Sequence, residues 1–342
     1  MDIYIIILSF FVLVSLFYQK RILNNKAIWG FFFLILWLIP GLKDLSVGSD
    51  AYSYYFGFNQ DINDARMFSG IQLGWYFINI FFYEISNYQI FQLFCYAVIV
   101  GGFLLYIKRY SEYPTLSIVL YIGFAFYLAS FNIMRQYIAL AIVFPFIQLK
   151  DQHKLKFILI VLLASTIHAS SIICLLLLFI DKIRLKSIFF NIIIILTTFI
   201  IGYLLPQFIN LSSLFSIANY VNEGFSGYLE NIGGERNLLT GILQNAFLVY
   251  SLILLKDKSS FWFKCYFLFI ILNNIFGSMG VGNRIFLFLQ IQMILAIPNI
   301  CQATKGINRF FYTLSTLCYA IITYYINLST NSGEIIPYKI LP

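Results

Sequence analysis

Three basic side chains stand at the ends of long apolar runs: Lys43 in GLKDLSVGSDAYSYYFGF (41–58), Arg135 in NIMRQ (132–136) and Arg284 in SMGVGNRIFLF (278–288). An arginine fork pairs bidentately with phosphate oxygens, a geometry that lysine does not copy. Gly280 and Gly282 precede a helix start, whose unpaired N–H groups attract anions. The three cations therefore fit a phosphate-bearing ligand, with Lys43 in support of the two arginines. The alternatives are an Arg135 that snorkels from a helix end and a plain Gly-rich turn at 278–284.

Asp50 shares its segment with a cluster of aromatic residues that includes Tyr52 and Tyr55. A carboxylate can take a proton from a sugar hydroxyl, and aromatic faces suit sugar rings. The alternative is an interfacial tyrosine belt in which Asp50 caps a turn. His168, in STIHASS (165–171), is a second candidate base or a donor to phosphate, unless it only hydrogen-bonds within a bundle. IQLGWYFIN (71–79) contributes Gln72 and Trp75, and Gln136 follows Arg135. With Tyr52 and Tyr55 these form the candidate glycan-binding set. Asp44, Asp50, Asp61 and Asp64 are too loosely spaced for a Mg²⁺ site, and two arginines with a lysine make a metal redundant. No metal and no cofactor are expected. Nucleotide loops, HExxH pairs and GxSxG elbows are absent.

The elements that must position these residues follow from composition. The 342 residues are 61% hydrophobic and 11% charged, far more apolar than a soluble domain. An integral membrane protein is expected, all-α, because the apolar runs are too long for the alternating strands of a barrel. Spans are expected at about 3–18, 27–42, 88–107, 114–131, 133–149, a pair dividing 155–181 near His168, 187–205, 238–255, 261–277, 284–300 and 309–327, roughly 12 segments in one polytopic domain over 1–342. Each half of the 155–181 pair is short, so a re-entrant hairpin with His168 at its tip is the alternative. The first run has no basic leader or cleavage site and is expected to be retained.

Most of the 22 cations then fall in loops on one side, including Lys20, Arg21, Lys108, Arg109, Lys182, Arg184, Lys305 and Arg309. The positive-inside rule makes that side cytoplasmic and both termini external. This placement requires GWYFINIFFYEIS to be a non-crossing outer helix. It leaves Lys43, Arg135 and Arg284 outside, against the bias, near two long outer loops at about 43–87 and 206–237. The five cysteines are scattered and suggest neither disulfides nor a metal site. Nucleic acid is not an expected partner.

The ordered set VGSDAYSYYFGF, IQLGWYFIN, FNIMRQYIALAI, IHASS, GNRIFLF and IPYK resembles the EpsG-like family of Wzy O-antigen and exopolysaccharide polymerases, over nearly the whole chain. The resemblance implies a GT-C-like glycosyltransferase of the bacterial inner membrane, with its active site facing outward. It implies polymerisation of undecaprenyl-diphosphate-linked oligosaccharides, with membrane lipid and a chain-length regulator protein as partners. Lys43 stands where an arginine is usual and Gln72 where a glutamate often stands, which shifts the base role to Asp50, then His168. An O-antigen ligase, a sugar acyltransferase or a lipid-linked glycan flippase are the competing readings. A flippase calls for internal repeats and polar residues lining both membrane halves, and neither is visible.

Overall fold

The computed structural model describes residues 2–17, 25–59, 72–185, 187–208, 238–255, 258–277, 285–331 and 333–341. Among them the chain is helical, with one isolated antiparallel bridge between Lys43 and Ile340. It forms two compact units, Met1–Leu178 with Lys305–Pro342, and Phe179–Thr304.

The first unit contains α1 (Asp2–Phe17), α2 (Lys26–Gly41), α3 (Ala51–Asn59), α4 (Leu73–Ile85), α5 (Tyr88–Tyr110), α6 (Pro114–Gly123), α7 (Met134–Val143) and α8 (Lys154–Ser165), and closes with the C-terminal helix Gly306–Thr330. At its centre lies α5. The Asn87 side chain caps its start by accepting from Ile90 N, and Lys108 and Arg109 complement the dipole at its end. Its 23 residues are long and apolar enough to cross a membrane. Eight further apolar helical stretches of 10–17 residues accompany it among the described residues.

Close approach fixes α5 against its neighbours. A Cβ on Gly41 would lie 2.8 Å from Leu93, and one on Gly102 would run into Ala141 of α7. The Trp37 indole donates to Leu93 O at 2.7 Å. Two expected spans are broken. The run 114–131 is interrupted at Ala125, which adopts the left-handed region at φ 60°. The run 133–149 passes from α7 into a 3-10 turn at Phe144–Phe146, where Pro145 cannot continue the helical bonding. The expected pair 155–181 divides at His168 into α8 and a 3-10 segment, Ala169–Lys182. The expected outer helix is α4.

The tail binds the unit together. Asp44 N donates to Lys339 O, Gly48 N to Glu334 O, Ser49 N to Gly333 O and Leu341 N to Leu42 O, all at 2.9–3.1 Å. The Tyr338 hydroxyl donates to Ile39 O at 2.7 Å and the Tyr4 hydroxyl to Ile335 O at 2.9 Å. The start of α1, the end of α2 and the end of the C-terminal helix therefore share one end of this unit, with the 43–50 loop among them.

The second unit contains α9 (Ile188–Phe208), α10 (Leu238–Leu254), α11 (Phe261–Phe276) and α12 (Met293–Ala303). Buried Asn245 and Asn274 exchange hydrogen bonds at 2.9 and 2.8 Å, and Asn274 donates to Thr198 Oγ1 at 3.2 Å. Such amide pairs join helices where no water competes. Gly202 of α9 meets the Asn274 carbonyl so closely that no Cβ fits between them.

Candidate functional site

Lys43 follows directly on α2, and the end of that helix is held by α5. Buried Gln92 donates through Nε2 to the carbonyls of Pro40, Gly41 and Lys43 at 3.3, 3.1 and 3.0 Å, and Gln89 donates to Gly41 O at 3.0 Å. These amides take up carbonyls that a helix end leaves unpaired. Lys43 is only 2% exposed, and its ammonium donates to Val47 O across the loop. It makes no ion pair among the described residues. Burial pulls its pKa down to about 8, while nearby Asp44 and Asp50 act to raise it.

Gly48 closes this loop at φ +105°, a region in which a side chain is strained. A Cβ there would lie 2.7 Å from Asn132 Oδ1 and 3.1 Å from Phe131 O. Asn132 begins NIMRQ, and its amide donates to Gly333 O at 3.1 Å. The Tyr96 hydroxyl donates toward the carbonyls of Ser130 and Phe131 at 3.5 and 3.4 Å. The aspartate loop, the arginine turn and the tail thus meet at one glycine. Gly48→Ala is expected to destabilise the first unit by about 2 kcal/mol through strain and displacement of Asn132. Thermal unfolding in detergent measures it, against a nearby control such as Ser46→Ala.

Asp50 precedes α3, and its carbonyl accepts from Tyr54 N at 3.1 Å. Four residues on, Tyr54 lies on the same side of the helix. The Tyr54 phenol faces Arg135. Burial pushes its pKa up to about 12, against the opposing pull of Arg135 and with a further push from Asp50. Tyr52 is on the outward face of α3, 51% exposed and stacked at 6.4 Å on Phe56. Tyr55 turns the other way, edge-on to Tyr88 at 5.3 Å.

Arg135 sits in the first turn of α7, whose N-terminal N–H groups have no side-chain cap. Its Nη1 donates to Gln72 Oε1 at 3.3 Å, and its guanidinium carbon lies 5.9 Å from the Trp75 ring centroid. Trp75 is buried, with Tyr54 edge-on at 6.0 Å and Phe91 behind it at 5.4 Å. Gln136, on the next position of α7, is buried at 4% exposure.

The start of α4 is anchored on the histidine turn. Trp75 N donates to Thr166 O at 3.2 Å, and Gly74 touches the Thr166 side chain where any larger residue would collide. His168, two residues on, is half-buried, and its Nδ1 is 2.8 Å from Ser170 Oγ.

Asp50, Gln72, Trp75 and Arg135 are thereby gathered around Tyr54, with the Lys43 ammonium near Asp50 and the His168 turn adjoining through Thr166. A guanidinium, an uncapped helix start and a buried ammonium favour an anion. The adjacent carboxylate and aromatic rings suit a hydroxylated ring. Arg284, Gly280 and Gly282 lie outside the described residues, as do Asp61 and Asp64. Among the described residues no group of three His, Cys, Asp or Glu side chains gathers to hold a metal. Tyr54, Asn132 and Gln92 had no assigned part in the sequence reading. The signal for Tyr54 was present, since Asp50, Tyr54 and Phe58 are four residues apart.

Among the described residues the fold is an all-helical bundle with one helix long and apolar enough to cross a membrane. The chain belongs to the EpsG family, whose model matches residues 26–340, a family associated with glycosyltransferase-like polymerases of polysaccharide biosynthesis. No curated protein and no solved structure matches it.

Proposed function

We propose that this chain polymerises lipid-linked repeat units, moving a growing glycan from undecaprenyl diphosphate to a hydroxyl of the incoming lipid-linked oligosaccharide on the outer side of the bacterial inner membrane. The observation that carries this reading is the meeting of Arg135, Gln72, Trp75, Tyr54 and Asp50 in one basin of an EpsG-family chain. The fold that goes with it is a GT-C-like polytopic bundle of about 12 segments with both termini outside. The shared position of the α1 start, the 43–50 loop and the tail supports that orientation, because both ends of the chain then lie beside the basin.

In the reaction the acceptor hydroxyl loses its proton to the Asp50 carboxylate, and its oxygen bonds to the anomeric carbon of the donor. The bond from that carbon to the diphosphate oxygen breaks, and undecaprenyl diphosphate leaves with the bonding electrons. Arg135 and the α7 N-terminus stabilise the charge that develops, with Lys43 in support; Arg284, outside the described residues, is proposed from sequence alone as a further diphosphate-binding cation. Gln72 orients the guanidinium. His168 is the alternative base or a further diphosphate contact. Of the proposed glycan-binding set, Gln72 and Trp75 lie at the basin and Gln136 follows Arg135 on α7, while Tyr52 is on the outward face of α3 and Tyr55 turns toward Tyr88. No metal or other cofactor is assigned, and a chain-length regulator protein is a proposed partner.

Asp50→Asn tests the assignment, since it keeps the shape and removes the base. Single-turnover transfer is expected to fall by about 10²–10⁴-fold while affinity for the lipid-linked donor, measured by quenching of intrinsic fluorescence, stays within about threefold. Wild-type turnover in Asp50→Asn would move the base role to His168.

A further inference from the structure

On an adjoining face of α3, lined by Tyr55 and Phe58, lies a cleft of about 320 Å³ in the first unit. Tyr55, Tyr83 and Tyr88 supply its rings, Asn59, Asn87 and Gln89 its amides, and Leu45 and Leu341 its rim. No charged side chain lines it among the described residues. Aromatic packing runs from the Arg135 cluster to the cleft: Trp75 touches Phe91 at 5.4 Å, Phe91 stacks on Phe58 at 5.0 Å, and Phe58 meets Tyr83 and Tyr88 at 5.8 and 5.6 Å. Tyr54 faces the basin and Tyr55 the cleft, from adjacent positions of α3.

The polar groups of the cleft are only partly used. Asn87 Oδ1 accepts from Ile90 N at 3.1 Å and Gln89 Nε2 donates to Gly41 O at 3.0 Å. Among the described residues Asn87 Nδ2, Gln89 Oε1 and the Tyr83 hydroxyl have no protein partner. A donor, an acceptor and a hydroxyl held beside aromatic faces recognise a neutral sugar, whose ring has an apolar face and a hydroxylated edge. Among the described residues the lining offers rings and amides and no cation to hold a diphosphate. A lipid tail is better served by the groove between α1 and the C-terminal helix, whose walls include Ile5, Leu8, Leu13, Ile321 and Leu328. The size suits a short glycan segment, at the lower end of small-molecule sites.

We infer that this cleft is a second glycan subsite, which holds uncharged sugars of the growing chain remote from the bond being formed. The inference rests on the polymerase reading for its place in the reaction, though its ligand class follows from the cleft alone. Sugars gripped here keep the chain on the protein between transfers, so the subsite governs polymer length and not the first transfer.

The test uses the full chain in lipid nanodiscs and the free repeat-unit oligosaccharide released by mild acid from the lipid-linked pool of the cells that produce the chain. This probe has no diphosphate and cannot react, so its binding is read whether or not the protein polymerises. Saturation-transfer NMR is expected to show contact with the sugar protons. Tyr83→Ala, which removes ring and hydroxyl, should weaken binding about tenfold, Tyr83→Phe, which removes the hydroxyl alone, should give an intermediate loss, and Arg135→Ala should leave it intact. In the ladder assay Tyr83→Ala should shorten the modal polymer without slowing formation of the first dimer. Equal binding by wild type and Tyr83→Ala, or no binding, overturns the subsite even if a ladder forms. Binding lost in Tyr83→Ala but with no wild-type ladder leaves the subsite standing and removes the polymerase reading.

Discussion

Arg135→Lys is expected to abolish polymer ladders, with transfer lowered by at least about 100-fold, while the protein remains folded in the membrane. The substitution keeps a positive charge at the start of α7 and removes the planar fork, so it separates charge from geometry. In the structure the fork is already oriented, with Nη1 on Gln72 Oε1 at 3.3 Å and the guanidinium beside Trp75. Lysine reproduces neither the bidentate grip on a diphosphate nor the flat contact with the indole. The stability lost with those two contacts is small, about 1 kcal/mol, so membrane abundance and thermal unfolding should be close to wild type. Paired measurement of abundance and ladder formation checks this. A normal ladder from Arg135→Lys would show that the side chain serves only as a point charge, and a normal ladder from Arg135→Ala would remove the clamp.

Lys43→Met carries the opposite combination, activity lost with stability kept or gained. An ammonium at 2% exposure with a carbonyl as its partner is an expensive group to fold around. A folded pKa of about 8 against the ordinary 10.5 corresponds to about 3 kcal/mol of folding stability forgone at neutral pH. Methionine removes that penalty but leaves Val47 O without its donor, which returns about 1–3 kcal/mol. The pH dependence separates the two effects. Because the folded pKa is depressed, the penalty is full below pH 8 and disappears as pH rises from 8 to 10.5. Wild type should therefore gain stability relative to Lys43→Met across that window, read as the difference in denaturation midpoint. On the proposed reading, in which Lys43 supports the diphosphate clamp, turnover of the variant should be low throughout. A Lys43→Met protein with full activity would make Lys43 a structural residue only.

Much of the architecture was legible because helices advertise themselves through apolar runs and their breaks. α5 needed no tertiary information, with Asn87 at one end and Lys108–Arg109 at the other. The division at His168 was visible because hydroxyl residues interrupt the apolar pattern there. The interruption at Ala125 was not, since a left-handed alanine has no glycine or proline signal of its own. Within the basin, Asp50, Gln72, Trp75 and Arg135 were legible as chemical types at the ends of runs. Their assembly depends on contacts that leave no pattern in the chain: Gln92 gathering the carbonyls at the end of α2, Gly74 against Thr166, and the tail's backbone bonded to the 43–50 loop. Treating 43–58 as a loop also concealed Tyr54. A helical period through Asp50, Tyr54 and Phe58 places the phenol between carboxylate and guanidinium, where the sequence reading had chosen Tyr52 and Tyr55.

The most direct test of the central claim counts both products of one reaction. Purified protein in nanodiscs is given a single defined undecaprenyl-diphosphate-linked repeat unit, and glycan size and liberated undecaprenyl diphosphate are quantified together. The account predicts a ladder spaced by one repeat, with one undecaprenyl diphosphate released for each new glycosidic bond and none released by Arg135→Ala. Lipid released without elongation, or lipid-linked units moved across the bilayer with no new bond, would contradict it.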